Sequence, residues 1–139
     1  MALLEAHNPD SVVIGECCEE HGKWVEELYR PLCCPIVRTE PSVSEMVKLT
    51  RNNWGAVSIS FWNEVEALCK KIGINGHKVG MIAAYSPYVS EKGSRLHKKY
   101  GGACLPKDMQ QTIKFAHSVG MNMRLMEVAE EINNTLEDV

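Results

Sequence analysis

The sequence has no apolar run near the roughly 20 residues that a helix needs to cross a bilayer, so no membrane span is expected. It also lacks a surplus of positive charge: 15 Lys and Arg face 18 Asp and Glu, for a net charge of −3 with His neutral. The cations are dispersed rather than clustered, which argues against a nucleic-acid partner. No Gly-x-Gly-x-x-Gly occurs, so the phosphate-cradling turn of a dinucleotide site is missing. There is no internal repeat and no low-complexity tract. The opening residues, Met1 to His7, are too short and too acidic for a signal peptide, and a cytoplasmic protein is expected. Cysteines with structural-zinc spacing are absent too. Such ligands usually sit about two to four residues apart within a pair, whereas Cys17-Cys18 and Cys33-Cys34 are adjacent and point in different directions on a strand or a helix. No metal site is expected. Nothing marks a secreted context, so all six cysteines, with Cys69 and Cys104, are read as reduced thiols.

What is present suits one folded domain of 139 residues, 45% apolar and 24% charged. Val12-Val13-Ile14-Gly15 is a β-branched run ended by glycine and predicts a buried strand. Glu19 to Tyr29 predicts a helix stopped by Pro31, and Cys34 to Thr39 a second strand with Pro35 at its start. Two strands do not make a stable sheet alone, so this unit needs a partner sheet. Ser42-Val43-Ser44-Glu45 has the pattern of a capping box, with helix-compatible sequence running on to Ile72 and Gly73 as the stop. Met46, Leu49, Trp54, Phe61, Trp62 and Leu68 occupy more than one face of that helix. It is expected to be a spine buried on several sides, partly by a second copy of the chain; the expected state is a homodimer. Shorter helices are predicted over Asn75–Ala84, Pro106–Val119 and Asn122–Leu136, with a polar, loop-like stretch from Tyr85 to Gly102.

Two constellations carry chemistry. In Gly101-Gly102-Ala103-Cys104-Leu105-Pro106-Lys107-Asp108, the glycines allow backbone to approach a ligand, which makes Gly101, Gly102 and Lys107 candidate substrate contacts. Cys104 stands at a helix start, where free N–H groups favour a thiolate. Lys107 and Asp108 lie one turn on, able to favour the thiolate and to relay a proton. The alternative is a glycine turn, a buried cysteine and a proline-capped helix. On the long helix, Lys48 and Asn52 are four residues apart and face the same way. They form either a solvated stripe or two donors aimed at developing negative charge.

These residues resemble the UDP-glucose/GDP-mannose dehydrogenases. The stretch Gly101 to Asp108 is similar to that family's catalytic-cysteine signature. Ser44-Glu45-Met46-Val47-Lys48 with Asn52 resembles its helix bearing the catalytic Lys and Asn. Phe61-Trp62-Asn63-Glu64-Val65 is similar to its Ser-Phe-x-Asn-Glu stretch, Ile132-Asn133 to the Ile-Asn near the end of its middle domain, and Asn8 to Gly15 to the strand leading out of its NAD domain. The resemblance implies a mainly α fold: a helical bundle around one long helix, like the C-terminal domain of 6-phosphogluconate dehydrogenase. A short β-α-β remnant over residues 1–41 precedes this helical dimerisation domain over 42–139. It implies NAD as the family's cofactor and oxidation of a sugar C6 alcohol to the acid. Cys104 would attack the intermediate aldehyde on the way to a thioester that water hydrolyses, Lys48 and Asn52 would stabilise the oxyanion or position water, and Asp108 would assist proton transfer.

The departures are a missing NAD fingerprint and Tyr88 at the position, sixteen residues before Cys104, where the family often has an Arg reaching the partner's substrate; Arg95 lies nearer but out of register. The chain alone is expected to bind no NAD and to lack dehydrogenase activity. Three readings follow: a component that joins a separate NAD-binding Rossmann chain and binds a nucleotide sugar, a non-catalytic homodimerising module, or a truncated product of a working enzyme.

Overall fold

The computed structural model describes residues 8–89, 91–94 and 98–136; Met1–His7 and Arg95, on which readings above rest, lie outside the described residues. The chain divides into two compact units, Met1–Lys48 and Leu49–Val139. In the first, strand β1 (Val12–Gly15) leads into helix α1 (Glu19–Tyr29), a 3-10 turn (Arg30–Leu32) and strand β2 (Ile36–Thr39). Pro31 does not simply end α1; it seeds the 3-10 turn, after which Cys33 in the left-handed region (φ 52°) reverses the chain. The strands run parallel, with Val12 opposite Ile36 and Gly15 opposite Thr39. A parallel pair needs a crossover, and α1 supplies it. Across this unit Arg38 of β2 reaches Glu16 at 2.6 Å and Glu26 at 3.4 Å. A Cβ on Gly22 would fall 1.6 Å from a Glu16 carboxylate oxygen, so a larger residue there would push the Glu16 side chain off its present place.

Helix α2 (Pro41–Lys71) begins earlier than the Ser42–Glu45 capping box predicts. Pro41 takes the first helical position, where a missing N–H costs nothing and a fixed φ is already helical. Glu40 precedes it, and its carbonyl accepts the Ser44 N–H at 3.1 Å. The Glu40 carboxylate is held below its ordinary range by its own backbone N–H and by the Thr39 hydroxyl. Ser42 thus lies inside the first turn rather than flanking it.

The second unit is a bundle around the rest of α2, made with α3 (Gly76–Ala83), α4 (Glu91–Ser94), α5 (Leu105–Ser118) and α6 (Arg124–Thr135). The helix ends obey sequence logic. Gly73 (φ 76°) closes α2, with Ile74 N–H on the Cys69 carbonyl at 3.0 Å, and Gly120 (φ 76°) closes α5 with Met121 N–H on Ala116 at 2.9 Å. Helix α4 corrects the expectation of an irregular stretch between Tyr85 and Gly102. It packs so closely that a Cβ on Gly80 of α3 would lie 2.6 Å from the Ser94 carbonyl oxygen. Ala56, Ile59, Tyr100, Met109, Ile113, Met126 and Ala129 form the core of this unit. The fold is mainly helical around one long helix, preceded by the small parallel sheet.

Within the single chain, α2 is buried along one side only. Trp54, Phe61 and Leu68, spaced by seven residues, are 60%, 56% and 59% exposed. Seven residues are close to two helical turns, so the three stand in one line.

Tyr100 sits in the core, and its hydroxyl has no hydrogen-bond partner among the described residues. Burial, and then the charge of Glu130, push its pKa from 10.0 up to about 12. The folded chain therefore keeps a proton that the unfolded chain has released. The associated stability is complete below pH 10 and is lost as pH rises through about 12. We predict that Tyr100→Phe folds with neutral-pH stability within about 1 kcal/mol of wild type and loses less stability in alkali, as read by urea melts on either side of pH 10. Identical alkaline losses in the two proteins would show that another group is responsible.

Candidate active site

The loop that delivers the thiol is fixed from behind. Asn133 of α6 accepts the Tyr100 N–H at 2.7 Å and donates to the Tyr100 carbonyl at 3.2 Å, all in the interior. One amide side chain thus holds both backbone groups of the residue where the loop leaves the core. Gly102 then turns in the left-handed region (φ 78°), and no neighbour crowds Gly101 or Gly102. The loop ends at Cys104, the residue that caps α5; its carbonyl accepts the Asp108 N–H at 2.9 Å. Pro106 follows in the first turn, where its missing N–H costs nothing. The Cys104 thiol is free and exposed. It therefore stands in solvent at the donor-rich end of a 14-residue helix, the place where an anion formed beside it is favoured.

One turn into α5, the Asp108 side chain is fully buried. Burying a carboxylate is costly unless donors surround it. Asn52 of α2 supplies one, with Nδ2 at 2.5 Å from Oδ2. Lys107 supplies an opposite charge rather than a hydrogen bond, its Nζ at 3.2 Å from Oδ1 in an ion pair and its side chain 63% exposed. The next pair along continues this seam: Asn53 Nδ2 donates to Thr112 Oγ1 at 2.8 Å, and that hydroxyl donates to the Asp108 carbonyl at 2.9 Å. The structure therefore joins Asn52, Lys107 and Asp108 into one cluster, with Cys104 a turn away from Asp108. The Lys107 ammonium is engaged with Asp108. Lys48, exposed, lies four residues before Asn52 on α2. Asn53, Thr112 and the anchoring role of Asn133 escaped sequence reasoning. Their signal was present: asparagine and threonine are poor residues inside helices and need a reason to be there.

The turn from β1 into α1 is the strand-to-helix junction at which a cradle for the NAD that the resemblance implies would have to form. Such a cradle needs glycine backbone open to a pyrophosphate at the helix start. Here a Cβ on Gly15 would meet Pro41 and Ser44 at 2.8 and 3.0 Å, and the Glu16 carboxylate fills the space over Gly22. The glycines are used for internal packing, and a carboxylate opposes a second anion. These residues do not fit a dinucleotide.

Beside α2, in the second unit, a groove of about 330 Å³ is lined by Trp54, Val57, Phe61, Trp62, Tyr88 and Leu125, among others. Tyr88, 92% exposed, stands at its edge.

Comparison with known proteins gives a consistent picture. The model of the UDP-glucose/GDP-mannose dehydrogenase family, central domain, matches residues 42–135. UDP-glucose 6-dehydrogenase YwqF of Bacillus subtilis is 30% identical over 133 residues, which cover 96% of this chain and 30% of that protein. A GDP-mannose 6-dehydrogenase of Pseudomonas aeruginosa is 36% identical over 111 residues, 78% of this chain and 26% of the relative. Among solved structures, a UDP-glucose dehydrogenase of the archaeon Pyrobaculum islandicum superposes with a TM-score of 0.89 at 28% identity, over 96% of this chain and 31% of the other. The chain spans about 30% of the length of the curated relatives it matches.

The anchor on the thiol loop can be tested directly. Asn133→Ala leaves the buried N–H and carbonyl of Tyr100 unpaired, and should cost about 2–3 kcal/mol in a denaturant melt. Amide exchange at Gly101, Gly102 and Ala103 should accelerate by more than the global loss of stability explains. A cost under about 0.5 kcal/mol would mean that water replaces the side chain and that the loop does not depend on it.

Proposed function

The chain belongs to the UDP-glucose/GDP-mannose dehydrogenase family as its central domain, and from that premise we propose that it supplies the thiol half of a nucleotide-sugar 6-dehydrogenase site. The observation that carries this reading is an exposed Cys104 at a helix start, one turn from a buried Asp108 that is bonded to Asn52. A sulfur there adds to the C6 carbonyl of a sugar aldehyde. The thiol proton leaves to solvent as the S–C bond forms, the carbonyl electron pair moves to oxygen, and the oxyanion lies among backbone N–H groups of the first turn of α5. Asn52 gives one N–H to Asp108 and keeps a second for that oxyanion, so Asp108 acts as its orienting group. Lys48 is the cation in the same proposal. Gly101 and Gly102 give the sugar room against the backbone, and Lys107 sits at the rim. Oxidation of the adduct needs a hydride acceptor held elsewhere, since these residues do not fit NAD; a separate Rossmann chain would be one source. The 139 residues alone are therefore expected to bind and trap rather than turn over.

The test is site-resolved alkylation by iodoacetamide, read by mass spectrometry because the other cysteines compete. The Cys104 peptide should react faster than the Cys33 peptide, and UDP-glucose or GDP-mannose should slow it by about tenfold or more, as a bound ligand at a concentration near ten times its dissociation constant must. Asn52→Ala should weaken that protection. A Cys104 rate indifferent to both nucleotide sugars would sink the half-site reading.

The exposed line of Trp54, Phe61 and Leu68 favours a second reading, in which the chain is a non-catalytic homodimerising module. Both readings use the same apolar face, since an unpaired patch of this kind is a liability in a monomer. Light scattering should give twice the mass of one chain at micromolar concentration, and Phe61→Glu should halve it without loss of helical circular dichroism. One subunit's mass for the wild-type chain would defeat the dimer in either form.

A further inference from the structure

We propose that Cys17, Cys18 and His21 form a binding site for a zinc-class divalent cation at the junction of β1 and α1. The rule that adjacent cysteines point apart applies within a strand or within a helix. These two sit between such elements. Cys17 follows the end of β1, while Cys18 is the residue before α1 and has extended backbone (φ −158°, ψ 161°). His21 lies in the first turn that follows. As a result one ligand atom from each of the three residues lies within 4.8 Å of the other two. Cys17 Sγ and His21 Nδ1 are already in hydrogen-bond contact at 3.1 Å.

The separations suit the chemistry. Two sulfurs on a tetrahedral zinc stand about 3.8 Å apart and a sulfur and an imidazole nitrogen about 3.5 Å. Small rotations of exposed side chains close the cluster to those values. A cation would replace the proton shared between Cys17 and His21 and would release a second from Cys18. Two thiolates and a neutral imidazole then balance a divalent charge and leave a fourth position to solvent. That is the donor set of a soft-to-borderline ion; calcium and magnesium prefer oxygen.

The turn that carries the ligands is also fixed before any ion arrives. The Glu16 N–H donates to the Thr39 carbonyl at 2.8 Å, and the Glu16 carboxylate is held by Arg38 at 2.6 Å. The Gly22 N–H bonds the Cys18 carbonyl at 3.1 Å. Glu19, at the start of α1, is drawn to Lys23 at 2.7 Å and so is turned to its own helix. On the other side the His21 ring rests on Trp24, with centroids 5.2 Å apart. The ligands thus come from a braced corner rather than a loose loop, which lowers the ordering cost of binding.

The experiment uses the reduced 139-residue chain and titrates Zn²⁺ against a chromophoric chelator, with Co²⁺ as the spectroscopic substitute. One ion per chain is expected, with a thiolate-to-cobalt charge-transfer band and tetrahedral ligand-field bands. X-ray absorption of the zinc form should show two sulfurs and one imidazole nitrogen, a readout that needs no variant. Cys17→Ser with Cys18→Ser should abolish binding, and His21→Ala should weaken it by at least about tenfold. Cys104→Ser and the pair Cys33→Ser, Cys34→Ser should leave it unchanged. Zinc that survives loss of Cys17 and Cys18, or that follows Cys33 and Cys34 or Cys104 instead, overturns the assignment. So does a chain that binds only Cu⁺ and is indifferent to His21→Ala, because two thiolates alone then suffice.

Discussion

A single buried carboxylate organises the site. Asp108 has no exposed side-chain surface, and a carboxylate in that position is tolerable only while donors are held against it. The donor from α2 is Asn52 at 2.5 Å, so the pairing fixes how α5 is rotated relative to the long helix. Once that rotation is set, Met109, Ile113 and Ala116 face the core, and Cys104 has no choice but to stand at the exposed end. The same contact also spaces the two helices. Asn53 and Thr112 repeat it one step along, at 2.8 Å, so sliding either helix would break both bonds together. Removing Asn52 alone would take a hydrogen-bond donor away from a carboxyl group that has no exposed surface. Replacing both partners with apolar residues would restore packing but remove what aligns the thiol.

The opposite end of the thiol loop depends on a different device. Tyr100 is a large core residue, and the chain must pass from it to an exposed cysteine within four residues. Backbone leaving a core loses its helical or strand partners and must find others. Asn133 provides both, at 2.7 and 3.2 Å. The freedom that the glycines introduce is thereby confined to Gly101 through Ala103. Firm ends with an open middle leave the backbone beside the thiol uncrowded and still present sulfur at a repeatable place.

Much of this was legible in the residues, and the rest was hidden for physical reasons. Long elements announce themselves: β1 and α1 match their expected spans of Val12–Gly15 and Glu19–Tyr29, and both Gly73 and Gly120 close helices as their position suggests. The start of α2 departs from the sequence expectation because Ser42 and Glu45 imitate a capping box while Pro41 is the better first residue. Helix α4 has four residues, too few for any periodicity, and exists because Gly80 and Gly93 let backbone approach. The grouping of Asn52 with Asp108 spans 56 residues, and no local pattern reports such a contact. The Cys17, Cys18 and His21 cluster depends on the backbone passing from a strand end into a helix start, which the cysteine spacing alone does not report.

Helix α2 links the thiol site to the surface that remains uncovered. Asn52 and Trp54 are two residues apart, which places them about 200° apart around a helix. One side chain therefore points at Asp108 while the other stands in solvent. The buried side sets three polar residues committed to particular hydrogen bonds, Asn53, Ser60 and Asn63, among the apolar Ala56, Ile59 and Trp62. The exposed set, Trp54, Phe61 and Leu68, is large and apolar, with no such directionality. A partner covering the exposed line would need only shape and area, and could press on α2 without breaking any bond to α5. The inner face resists rotation, because its donors and acceptors match in one register only. The two sides of one helix thus differ in kind, with directional hydrogen bonds inside and an undirected apolar line outside. That division explains how a chain with so much apolar surface still places its cysteine in one defined position.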